Sequence, residues 1–200
     1  SRMARLAGQM MTNASTALHH ADLVIAELVI SGEDEITALC EDMDQRCINM
    51  LVLQAPVATD LRMVVAAMHA VGDLGRMASL AQHIAKVARL KHPTVPIPDD
   101  VRPLFARMGV LATTLAEDAA AAIESQDPMS GHRLAQADDE VDALRQQIFR
   151  ILLSEDWSHG VEPAVDAALI GRYYERFADH AVAIARQVDF LVTGLPPERH

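Results

Sequence analysis

Four carboxylates at helical spacing are the residues of this chain best suited to chemistry. Glu175 and Asp179 stand four apart, and so do Asp138 and Asp142. Residues four apart on a helix project the same way, so each pair offers its oxygens to one place. Two such pairs on neighbouring helices, without Cys or His at ligand spacing, suit a hard or borderline cation such as Mg, Mn or Fe. The plainer reading is a solvated acidic face, with Arg172, Arg176 and Arg186 available to pair with it for a few tenths of a kcal/mol.

Other chemistries find little support. Nine histidines are scattered through the chain with no His-Glu-x-x-His and no Glu-x-x-His, which argues against a zinc protease and a ferritin-like di-iron oxidase. His180 is the one histidine near the acidic set and reads as a polar or half-buried helix residue. There is no Gly-rich phosphate loop and no Gly-x-Ser-x-Gly elbow. The ten methionines fall mostly in apolar stripes and read as core. Trp157 sits in the loop Glu155–Gly160, where packing against a helix end is its ordinary fate.

The elements that must hold these residues are helices. Half of the 200 residues are apolar but only 4% are aromatic, a palette of packed helices rather than sheets. Apolar spacing of three and four dominates. It predicts helices from about Met3 to Ile30, Asp34 to Leu53, Ala58 to Leu90, Val101 to Ser125, Met129 to Leu153 and Val161 to Val192, the last closed by Gly194 and Pro196-Pro197. Between the third and fourth, three prolines in Lys91–Asp100 make a stiff connector. On the last helix, Ile170, Tyr173, Phe177, Ile184 and Val188 form the expected buried stripe, with Glu175 and Asp179 nearly opposite. Asp138 and Asp142 flank a stripe of Val141, Leu144, Ile148 and Leu152.

The chain also repeats itself. Residues 32–39 match 137–144, Leu6 matches Leu111, Asp22 matches Asp127, and Leu74–Ala81 aligns with Tyr174–Ala181. Each copy is one structural unit. The expected fold is therefore all-α: two pseudo-repeated three-helix bundles of six long helices, divided as 1–92 and 93–200.

Net charge of −11 and a pI near 5.1 leave no basic face for nucleic acid. The cluster Lys86, Arg89, Lys91 and His92 reads as cations at the negative end of a helix dipole. Cys40 and Cys47, seven apart on one helix, cannot bridge and suit a reducing compartment. No apolar run is long enough to span a membrane, and no charged-then-apolar segment opens the chain, which begins at Ser1. A cytoplasmic protein, not integral to the membrane, is expected.

Glu175-Arg-Phe-Ala-Asp179-His-Ala181 resembles the signature of the PhoU family of phosphate-uptake regulators, and Ala55-Pro-Val-Ala-Thr-Asp-Leu-Arg62 looks like that family's approach to its third helix. The likeness extends over essentially the whole chain. It implies two pseudo-symmetric three-helix bundles with surface E(D)-x-x-x-D motifs that hold metal in several members. It further implies a negative regulator of the phosphate response, not an enzyme, that contacts the ATPase subunit of the phosphate transporter and a sensor histidine kinase. A metal store or metal-dependent enzyme is the competing reading, and a homodimer is left open.

Carried over position by position, Asp138 with Asp142 and Glu175 with Asp179 match the motif in full. The first copy departs from it. Glu33 remains, but Thr37, Gly75 and Ser79 stand where the second copy has carboxylates, while Asp73 and Arg76 keep the surrounding pattern. Any cation is expected in the second bundle only.

Overall fold

The structure, a computed structural model, describes residues 1–195. It has six helices and, among the described residues, no strand: α1 (Arg2–His20), α2 (Leu23–Gln54), α3 (Ala58–Lys91), α4 (Arg102–Ser125), α5 (Ser130–Leu152) and α6 (Val161–Thr193). Gly194, at φ 74°, ends α6 by donating its N–H to Phe190 O at 2.9 Å. The Pro196-Pro197 stop lies outside the described residues.

One boundary differs from expectation. The first helix ends at His20 rather than running to Ile30, and α2 passes through Ser31-Gly32 without interruption. The break is made by Ala21, in the left-handed region at φ 49°, and by Asp22, whose Oδ1 accepts the Ile25 N–H at 3.0 Å. A side-chain oxygen at that position satisfies one of the amides a helix start leaves bare. The second half breaks at the matching positions with a looser version, a turn ahead of α5 rather than a cap on it. Gln126 takes φ 52°, and Asp127 Oδ1 accepts the Met129 N–H at 3.0 Å. Gly32 costs α2 no more than about 1 kcal/mol relative to alanine, too little to stop it.

Each half packs as a trio, α1 and α3 on α2 and likewise α4 and α6 on α5. The halves join through α1 against α4 and α3 against α6. Small residues make the first junction close: Ala4, Ala7, Ala14 and Ala17 face Ala112, Ala116 and Ala119, all fully buried. A Cβ on Gly8 would stand only 3.1 Å from that of Ala116. Below them Met11, Met77, Phe105, Tyr174 and Phe177 fill one cluster that runs through both halves. The Tyr174 hydroxyl, wholly buried, is paired with Ser15 Oγ at 2.8 Å, and Ser15 in turn donates to Met11 O.

The expected helix-end cations hold the ends in place. Lys91 pairs with Asp166 at 2.8 Å and with Glu162, tying the end of α3 to the start of α6. Trp157 folds back, its indole N–H donating to Gly160 O at 2.8 Å. The helices differ in length: α1 has 19 residues against 32 in α2 and 34 in α3, so the far end of the α2–α3 hairpin extends past it. At 1.5 Å per residue the longest helices reach about 50 Å. No helix among the described residues is long and apolar enough to cross a membrane.

Candidate functional site

The carboxylates face one another across α5 and α6. Asp138 and Asp142 come from α5, and Glu175 and Asp179 from the middle of α6, four residues and one turn apart in each case. Glu175 does not lie opposite the core as its position relative to the expected stripe implied. It is buried, with 8% of its surface exposed, and Tyr174 rather than Tyr173 is the fully buried tyrosine. The reason is topological. Helix α6 is enclosed by α3, α4 and α5, so its buried surface wraps most of the way round and takes Glu175 with it. Tyr173 instead stacks on His83 at 5.2 Å between ring centres.

Arginines already attend two of the four. Arg172 Nη1 donates to both oxygens of Glu175, and Arg145 Nε lies 3.6 Å from Glu175 Oε2, within ion-pair reach but beyond a hydrogen bond. Arg176 Nη1 donates to Asp179 Oδ2 at 3.0 Å. Arg186, the third arginine expected nearby, lies beside Gly131 at the start of α5 instead. Arg145 was not legible as a member of the site from the acidic spacing alone. Its signal was the repeat: the position matched to Arg145 in the first copy is Cys40.

Asp138 and Asp142 have no arginine of their own among the described ion pairs. Asp138 Oδ1 is buried without a hydrogen-bond partner. Its pKa is pushed up to about 7, first by burial and then by the charges of Asp179, Asp142, Asp139 and Glu175. Asp142 is raised too, by burial and by Glu175, with Arg145 pulling the other way. The site is thus a seam of mutually repelling carboxylates, half neutralised by guanidinium groups. As the side chains stand, no three His, Cys, Asp or Glu among the described residues converge on a common point that could hold an ion.

The first bundle shows what the same framework becomes without the acids. Glu33 accepts the Ser79 hydroxyl proton at 2.6 Å. A Cβ on Gly75 would stand 3.4 Å from Cys40 Sγ, whose thiol donates to Val71 O at 3.6 Å. Where the second bundle has the ion pair of Arg145 and Glu175, the first has an uncharged thiol facing a glycine. His180, half-buried as expected, reaches across to the other half, its Nδ1 2.9 Å from Asp73 Oδ1.

A duplicated bundle carrying an acidic seam on its second copy defines a class, and the comparisons agree on which. The family model described as the PhoU domain matches residues 1–88 and again 105–188. The chain belongs to the PhoU family. It is 45% identical over 195 residues to the Mycobacterium tuberculosis protein named phosphate-specific transport system accessory protein PhoU homolog 2, covering 98% of this chain and 92% of that one. Among solved structures it is similar to PhoU from Pseudomonas aeruginosa, with a TM-score of 0.89 and 26% identity over 97% of this chain and 93% of that one. The phosphate transport system regulatory protein PhoU from Streptococcus pneumoniae matches with a TM-score of 0.83 and 26% identity, over 98% and 93%.

Proposed function

We propose that this protein is a helical adaptor that restrains phosphate uptake and the phosphate-starvation response, docking on the ATPase subunit of the phosphate transporter and on a sensor histidine kinase. The observation that carries this reading is the near full-length identity to a protein named as an accessory of the phosphate-specific transport system. The build supports it: long, acidic, wholly helical surfaces suit a binding module, and we assign the chain no catalysed reaction. Docking acts by favouring one of two pre-existing conformations of the partner. Affinity purification from phosphate-replete cells tests it. Recovery of transporter ATPase or kinase is expected, and recovery of neither, where a positive control succeeds, removes the idea.

We further propose that the second bundle takes a divalent or iron cation at Asp138, Asp142, Glu175 and Asp179. What supports it is the buried, unpartnered Asp138 oxygen, crowded by like charges that a cation would relieve. The donor set fits a hard cation on condition that Arg172 and Arg176 swing away: the exposed Arg176–Asp179 pair is weak, and the cation itself would replace the charge that Arg172 gives the buried Glu175. A bound cation would supply positive charge that clamps α5 to α6. Elemental analysis of protein purified without chelator, compared with the Glu175→Ala/Asp179→Ala variant, decides. Unchanged metal content in the variant disposes of the site.

A further inference from the structure

Beyond the reach of α1, the α2–α3 hairpin has almost no core of its own. Of residues 41–70 only Cys47, Val64 and Ala66 are buried. Among the described residues, helix α2 touches α1 and α3 and no other helix, so its last turns rest on α3. The apex is nonetheless apolar. Val52, Leu53 and Val57 are 74%, 80% and 74% exposed, and Ile48 and Leu61 flank them in the open. From Cys47 to Thr59 there is no charged residue, in a chain of net charge −11. Exposed aliphatic side chains clustered this way mark an interaction surface rather than ordinary scatter.

The opposite end of the molecule provides the contrast. The α5–α6 loop also exposes Leu153 and Val161, but it intersperses them with Glu155, Asp156 and Glu162. The folded-back Trp157 closes that loop on itself. Its charges keep it in water, whereas the α2–α3 tip has only the uncharged Asn49, Gln54 and Thr59 among its exposed aliphatic side chains.

We propose that this tip inserts into an apolar groove with a basic rim on a protein partner. Charge selects that occupant. Along the hairpin next to the apex, Glu41, Asp42, Asp44 and Asp60 outnumber two arginines, Arg46 and Arg62; Arg46 is already bonded to Asp42 at 2.8 Å and Arg62 lies against Gly194 at the end of α6. Acidic groups next to an apolar tip complement basic groups around an apolar recess. A bilayer is disfavoured, because the apex lacks the aromatic and basic side chains that seat a segment at a lipid interface, and the net charge opposes an anionic leaflet. A second copy is disfavoured by the same charge, now repelling itself.

The inference deepens the adaptor reading and rests on it, so the probe is the purified ATPase subunit of the phosphate transporter. Binding would be compared for the full chain, the tip variant Leu53→Asp/Val57→Asp, a milder Leu53→Ser/Val57→Ser, and the opposite-end control Leu153→Asp/Val161→Asp. Circular dichroism and melting curves establish that each is folded. Expected is a loss of at least ~10-fold in affinity for both tip variants, with the control within about twofold of the parent. Equal binding by parent and tip variants overturns the docking tip while leaving the adaptor reading intact. Failure of the parent itself to bind removes the adaptor reading for this partner and the tip with it. Two parallel assays use vesicles of phosphatidylcholine with phosphatidylglycerol, and light scattering for self-association. A tip-dependent loss in either of these, with ATPase binding unchanged, also overturns the proposal by assigning the tip to lipid or to a second copy.

Discussion

Arg145 on α5 and Glu175 on α6 form an ion pair whose counterparts in the first bundle, Cys40 and Gly75, have both changed. Charge and counter-charge are missing from the first bundle together. The joint difference accords with energetics: without Glu175 the half-buried Arg145 has no described carboxylate partner, and without Arg145 the buried Glu175 keeps Arg172 alone, so losing either one leaves the other less well compensated.

The same logic can be run in reverse in the first bundle. Gly75→Glu places a carboxylate beside the Cys40 thiol with no cation to meet it and is expected to destabilise by about 1–3 kcal/mol. Adding Cys40→Arg should recover part of that loss. A double-mutant cycle by urea denaturation measures it, with an expected favourable coupling of at least ~0.5 kcal/mol. Independent, additive effects would show that the two positions do not communicate.

Stability should depend on pH through Asp138. Its folded pKa lies near 7, above the ordinary carboxylate value. Between those values the folded protein holds a proton that the unfolded chain has released, so stability falls as pH rises through that window. Asp138→Asn removes the penalty. It should therefore stabilise at pH 8 by on the order of 1–2 kcal/mol, allowing for solvent screening at a half-buried site, and by little at pH 4. Metal-free protein melted across this range reports the difference, and an Asn variant with the same pH slope as the parent contradicts it.

Ser15 and Tyr174 should respond unequally to losing their shared hydrogen bond. Tyr174→Phe leaves Ser15 still donating to Met11 O, so about 0.5–1.5 kcal/mol is lost. Ser15→Ala strands a phenol hydroxyl in a fully buried position, and a cost of about 1–3 kcal/mol is expected. Chemical denaturation that ranks the two the other way round would show that the tyrosine hydroxyl finds another partner.

Asp22→Ala tests the break between the first two helices. The aspartate caps α2 through the Ile25 amide, and its removal should cost about 0.5–2 kcal/mol. Asp22→Asn or Asp22→Ser should restore most of that, because either retains an acceptor oxygen. Thermal melts of the three variants make the comparison.

Helix content, order and number were legible because spacing and the duplication agree. The misplaced first break is instructive: Asp22 was already matched to Asp127, and the second copy visibly breaks there at a proline. The expected break instead falls at Ser31-Gly32, and one glycine is too weak to end a helix that tertiary contacts support. The acidic seam was readable from its fours, but its burial was not. A helical wheel assumes one buried side, whereas α6 is covered on three. Arg145 escaped for another reason: nothing in spacing joins residues on different helices, and only the register between α5 and α6 brings it to Glu175.

Since the greasy interior passes through both copies without interruption, a cut in the proline-rich connector would leave each fragment with a raw flank toward solvent. The repeats have therefore become mutual scaffolds. A substitution on the inward side of one is inherited as a constraint by its twin, and divergence between them is free chiefly where they look outward.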